Sequence, residues 1–117
     1  LSLVSHFEQK EHVLLIRLVG ELDHHEAGTL KVDWEHYLNA GGIQHVIVNL
    51  EDLTFMDSSG LGVFLGRYKQ VKALGGEMVV CAIQKPVKRL FELSGLFKVI
   101  QTEATEIDAL SRLGVAS

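Results

Sequence analysis

The sequence predicts a single α/β domain spanning residues 1–117. Its core is a mixed, mostly parallel sheet of four or five strands with about four helices, in the order β-β-α-β-α-β-α-β-α. Three observations lead there. The chain is 117 residues long, which suits one domain and is too short for two ordinary ones. Short apolar, β-branched runs recur along it. Between them lie segments whose apolar residues repeat at helical spacing and whose ends are marked by capping residues and glycines. Strands separated by helices pair in parallel through crossovers, and the first strand is the antiparallel exception.

Residues 3–7 form a weak first strand, paired across the polar turn 8–11 with residues 12–19 (HVLLIRLV). That second run is apolar on both faces apart from Arg17, as expected of a central strand. Asp23 and Glu26 have the residue types and spacing of a capping box. Ala27, Leu30, Trp34, Tyr37 and Leu38 then recur at helical spacing up to the stop at Gly41-Gly42. Residues 45–50 and 77–83 are β-branched runs expected to be covered on both sides. A second helix starts near Ser58, with an inner stripe of Leu61, Phe64, Leu65, Tyr68 and Val71, and ends at Gly75-Gly76. Pro86 suits a first helical position, followed by Leu90, Phe91 and Leu93, with Gly95 as cap. Residues 97–100 form a short last strand. Thr102 caps a final helix carrying Ile107, Leu110 and Leu113.

Composition excludes several function classes. With 47% hydrophobic and 22% charged residues and a net charge of -4, the chain lacks the clustered Lys and Arg on which nucleic-acid binding runs. The single cysteine, Cys81, rules out an internal disulfide and a Cys-based zinc site, and fits a reducing compartment. The longest apolar run, residues 78–83, falls far short of the roughly 20 residues of a spanning helix. No basic start followed by an apolar stretch suggests a signal peptide. The expectation is a cytoplasmic protein without membrane insertion. Phosphate-loop, dinucleotide-binding and hydrolase-elbow motifs are missing, so the sequence predicts neither catalysis nor a cofactor.

Sites in an open parallel sheet gather beyond the carboxyl ends of the strands. Two such ends carry unusual sequence, Gly20-Glu21-Leu22-Asp23 and Met56-Asp57-Ser58-Ser59-Gly60, and both lead into helix N-termini on one edge of the sheet. A helix N-terminus welcomes an anion. Asp57, Ser58 and Ser59 therefore either cap the helix or offer a serine that a kinase could phosphorylate. On the helix that follows, Ser59, Gly62, Gly66, Gln70 and Ala73 face away from the inner stripe, with Val63 alongside. An interior glycine costs a helix roughly 1 kcal/mol relative to Ala, so two on one stripe imply close approach, either by a partner or by a neighbouring element. His24 and His25 point about 100° apart on a helix, a poor clamp for one metal ion, and read as solvent-facing. Trp34 reads as core, Cys81 as an inert buried thiol, and Lys85, Lys88 and Arg89 as a solvated face.

Residues 49–62, Asn-Leu-Glu-Asp-Leu-Thr-Phe-Met-Asp-Ser-Ser-Gly-Leu-Gly, resemble the signature of STAS domains, the anti-sigma factor antagonist family. Residues 20–23 match the family's other loop, and the likeness continues through residues 76–81 and 89–96. The resemblance implies a small sheet covered by helices mostly on one face, at odds with cover on both sides. It also implies partner switching. The unphosphorylated protein binds an anti-sigma factor that is also a serine kinase, in its ATP- or ADP-bound state, and so frees sporulation sigma factor F. The kinase phosphorylates the serine directly after the motif Asp, here Ser58, which ends binding, and a membrane serine phosphatase restores it. Partner contacts would fall on Glu21, Asp23, Asp57, Ser59, Gly62, Val63, Gly66 and Arg67.

Two rivals remain open. A nucleotide-binding domain with weak hydrolase activity could line a small polar pocket with Glu21, Asp23 and Ser58, though no phosphate-gripping loop supports it. A receiver domain would use Asp57 as phospho-acceptor, but its acidic pair after the first strand and its late Lys are not evident.

Overall fold

Short runs of apolar side chains lay down a five-stranded sheet. In the computed structural model, which describes residues 2–116, β1 (Leu3–Lys10) turns at Glu11 and His12 into β2 (Val13–Leu22), and the two pair antiparallel. The remaining strands, β3 (His45–Met56), β4 (Met78–Cys81) and β5 (Gln101–Glu103), each join their predecessor in parallel, so the spatial order is β1-β2-β3-β4-β5. Helices α1 (His24–Asn39), α2 (Ser58–Ala73), α3 (Lys85–Ser94) and α4 (Glu106–Arg112) alternate with them. The element order is the one that the sequence predicts.

The main core lies on one face. Leu14, Ile16 and Leu18 of β2, Val46, Val48 and Leu50 of β3, and Met78 and Val80 of β4 pack with the inner residues of α1, α2 and α3. Three aromatic rings tie those helices together: Trp34 meets Phe64 edge-on at 5.6 Å, and Phe64 meets Phe91 in the same way at 5.6 Å. This geometry sets the positive edge of one ring against the negative face of the next. The other face carries only a small cluster, in which Val13, Leu15, Ile47, Val79 and Cys81 pack with Ala109 and Leu110 of α4 and with Val115. Cover on both sides is therefore partial. It holds at the amino ends of β2 and β3 and fails beyond Arg17 and Asn49, where helices cover one face alone. Cys81 is fully buried, and desolvation pushes its thiol up to about 12.

Several expected boundaries move. β1 runs on to Lys10, so the turn is shorter than expected, with Glu11 at φ 53. β3 does not stop at Leu50 but continues through the acidic residues Glu51 and Asp52 to Met56. It can do so because β2 also extends, with irregular register between Arg17 and Val19 and between Gly20 and Glu21, and because Leu53 and Met56 still turn inward. The expected strand at 97–100 is instead a 3₁₀ turn, Leu96–Lys98, launched by Gly95 in the left-handed region. The strand forms three residues later at Gln101–Glu103, where the apolar pattern gives no signal. Consequently Thr102 lies in that strand, and Thr105 caps α4, its hydroxyl accepting from the Asp108 amide at 3.1 Å. Leu93 and Ile107, expected inside, are 75% and 63% exposed.

Candidate functional site

β2 and β3 are parallel neighbours with Leu22 opposite Met56, so the residues that follow them, Asp23 and Asp57, emerge side by side at one sheet edge. Each becomes the N-cap of a helix. The Asp23 carboxylate accepts from the amides of His25 and Glu26, at 3.0 and 3.1 Å. Partial desolvation pushes its pKa up, but the amides of Glu26 and His25, helped by the charges of His25 and His24, outweigh this and leave the group below its ordinary value.

Asp57 serves both helices. One carboxylate oxygen accepts from the Ser59 amide at 2.9 Å and the other from the His24 amide at 3.0 Å, while its own amide donates to Leu22 O at 3.2 Å. A single carboxylate thus ties the start of α1 to the start of α2. The cap of α2 is therefore Asp57 alone among the three candidates. Ser58 is the first helical residue, exposed, with no capping role for its hydroxyl. Ser59 is half-buried behind it.

The α2 face differs from the sequence expectation by about one residue of rotation. Gly60, Val63, Phe64, Arg67 and Val71 are buried, while Leu61 and Tyr68 are half-buried and Leu65 is exposed. Gly62 and Gly66 do lie outward, and a Cβ built on either meets nothing within 4 Å. The stripe is thus unoccupied by any neighbouring element among the described residues. Val63 and Arg67, expected to meet a partner, are corrected: both face the domain. Arg67 is only 6% exposed, and its guanidinium lies 3.5 Å from Glu35 of α1. Gln70 also turns to Glu35, donating at 3.0 Å. Periodicity misplaces these residues because Gly60, tight against Met56 and Leu22, lets α2 sit closer on the Gly60 side than the bulk of Leu65 suggests.

Sequence reasoning also missed an apolar surround. Phe55, Leu65, Leu93 and Val99 are 45%, 39%, 75% and 44% exposed. Leu61, Gly62, Leu65, Leu96 and Val99 line a groove of about 260 Å³ between α2 and the end of α3. Phe55, Arg89, Leu90 and Leu93 line another, of about 530 Å³, on the far side of β3's end. The available signal was the density of large apolar residues around the acidic loop, more than one buried stripe needs. Glu21, opposite Phe55 in the register, is half-buried on the same edge.

Residues 6–109 match the STAS domain family, and the chain belongs to it. The relatives are narrower in kind. An anti-sigma F factor antagonist of Paenibacillus polymyxa is 43% identical over 117 residues, covering 100% of both chains. The solved structure of the anti-sigma factor antagonist SpoIIAA in its unphosphorylated form is 30% identical, with a TM-score of 0.77, over 95% of this chain and 98% of that one. The phosphorylated form of SpoIIAA, described as a Bacillus cell fate determinant, is 32% identical, with a TM-score of 0.76, over 94% and 99%.

Proposed function

We propose that this chain is an anti-sigma factor antagonist that works by binding rather than by catalysis. Its unphosphorylated form binds an anti-sigma factor that is also a serine kinase and frees sporulation sigma factor F, and phosphate on Ser58 ends that binding. A membrane phosphatase removes the phosphate. The observation that carries the reading is the division of labour at the start of α2. Asp57 takes the cap, so the adjacent Ser58 hydroxyl is left exposed on a helix N-terminus that tolerates an anion. Glu21, Asp23, Asp57, Ser59, Gly62 and Gly66 form the partner face around it.

A phosphate adds about 1.5 to 2 negative charges at pH 7, beside Asp57 and close to Asp23. The helix dipole accommodates the charge, while an apposed acidic or apolar partner surface does not. Each tenfold loss of affinity needs about 1.4 kcal/mol, within reach of one desolvated like-charge contact. No refolding is required, and the comparable likeness to the two forms of SpoIIAA supports that view.

The test is mass spectrometry after incubation with the cognate kinase and ATP. One phosphate on the wild-type chain and on Ser59→Ala, and none on Ser58→Ala, is expected. A stoichiometric phosphate on Ser58→Ala would sink the assignment. The receiver reading predicts an acid-labile aspartyl phosphate in its place.

A further inference from the structure

The proposed acceptor sits among carboxylates, yet two imidazoles stand over the same edge. The His24 and His25 rings are neighbours, tilted 38° to one another with centroids 4.0 Å apart. His24 Nδ1 lies 3.9 Å from the Asp57 carboxylate oxygen that the His24 amide also binds, and its side chain is 69% exposed. The residue after Asp57 is Ser58. The His24 ring thus lies beside the carboxylate of the residue that directly precedes the acceptor serine. The surrounding charges are otherwise negative on this side: Glu21 at the end of β2, Asp23 and Glu26 at the start of α1, and Asp57 at the start of α2. Two cations of α3, Lys85 and Arg89, line the groove beside Phe55 and Met56 at the end of β3.

We propose that His24, with the His25 ring next to it, is the cationic contact of the Ser58 phosphate. This rests on the reading of Ser58 as the acceptor and deepens it by naming what receives the phosphate inside the protein. A dianion favours the imidazolium form of a ring that lies beside it. His24 is then a positioning residue for the phosphate: it turns the group toward α1 and partly neutralises it.

The second ionisation of the phosphoserine, ordinarily near pH 6, reports this contact directly through the ³¹P resonance. Phosphoprotein is prepared with the kinase and ATP and, in parallel, by co-translational incorporation of phosphoserine at position 58. A unit positive charge a few ångströms away lowers such an ionisation by about half a pH unit. His24→Gln should therefore raise the ³¹P titration midpoint by about that much. His25→Gln should raise it less, and His36→Gln, in the last turn of α1, should leave it unchanged. The His24 ring resonances should also move on phosphorylation of the wild type. An unchanged midpoint in His24→Gln, or a larger shift in His25→Gln, overturns the inference. If the kinase leaves Ser58 unmodified, the proposed function fails on its own, and the incorporated phosphoserine still reads the histidine contact.

Discussion

Replacing Gly62 and Gly66 by alanine separates the two explanations for glycine on an outward helical stripe. Both lie inside α2, and an added Cβ at either position meets no neighbouring heavy atom within 4 Å. No packing is lost or strained, so the change reduces to helix propensity and chain entropy, which favour alanine by about 1 kcal/mol per site. Unfolding entropy near 2.1 cal/mol/K per residue converts this, for a domain of this size, into a rise in Tm of about 4 °C for each single variant and about 8 °C for the pair. Thermal melts followed by far-ultraviolet circular dichroism read it. Gly66→Leu should also stay folded, because it projects into open space, but it should weaken binding to the anti-sigma factor. A drop in Tm for either alanine variant would mean that the stripe packs within the domain. A folded Gly66→Leu with wild-type affinity would mean that the partner docks elsewhere.

Gly60, on the same helix, should behave in the opposite way. Its Cβ would lie 2.6 Å from Met56 Cγ and 3.0 Å from Leu22, so Gly60→Ala should cost about 1–3 kcal/mol by overpacking, read by urea denaturation. Glu35→Ala should destabilise more than Arg67→Met, by about 1–3 kcal/mol in urea. It leaves a buried guanidinium whose Nε and Nη1 have no partner among the described residues, whereas Arg67→Met removes the charge itself. Stability in acid should depend on Glu106, which takes a two-pronged bond from Arg17 at 2.8 and 2.9 Å and a third bond from Asn49 at 3.1 Å. The Arg17 bond, opposed by desolvation and helped by Asn49 and by the charges of Arg17 and Lys10, holds this carboxyl below its ordinary value of 4.5. Because the folded form is the stronger acid, the stabilisation is complete above pH 4.5 and is lost as pH falls through the folded value. Glu106→Gln should therefore be less stable than wild type at pH 7, with the gap closing below pH 4.5.

Legibility in the sequence followed the strength of the local physics. Strands β2 and β4 and helix α1 announce themselves because their apolar residues are dense and their ends carry Asp23, Gly41-Gly42 or Gly76. Gly76 is required sterically, since a Cβ there would overlap Gln44 O. The carboxyl end of β3 was hidden because its pairing is maintained by the neighbouring strand through Glu51 and Asp52, which local hydropathy reads as a loop. β5 was hidden for a related reason: Gln101–Glu103 owes its strand conformation to β4 rather than to its own residues. At the site, the adjacency of Asp23 and Asp57 was readable from the strand-loop-helix pattern. The double use of the Asp57 carboxylate was not, because it depends on a register between residues 33 positions apart. The burial of Arg67 was likewise invisible, since its stabilising contact comes from Glu35 on another helix.

The central claim concerns one hydroxyl, and equilibrium binding measures it. Calorimetric titration of the anti-sigma factor, with ATP or ADP present, against unphosphorylated chain and against chain stoichiometrically phosphorylated at Ser58 should show tight binding for the first. The phosphorylated chain should bind at least ten times more weakly, with matching melting curves showing that both forms are folded. Equal affinity of the two folded forms would contradict the account.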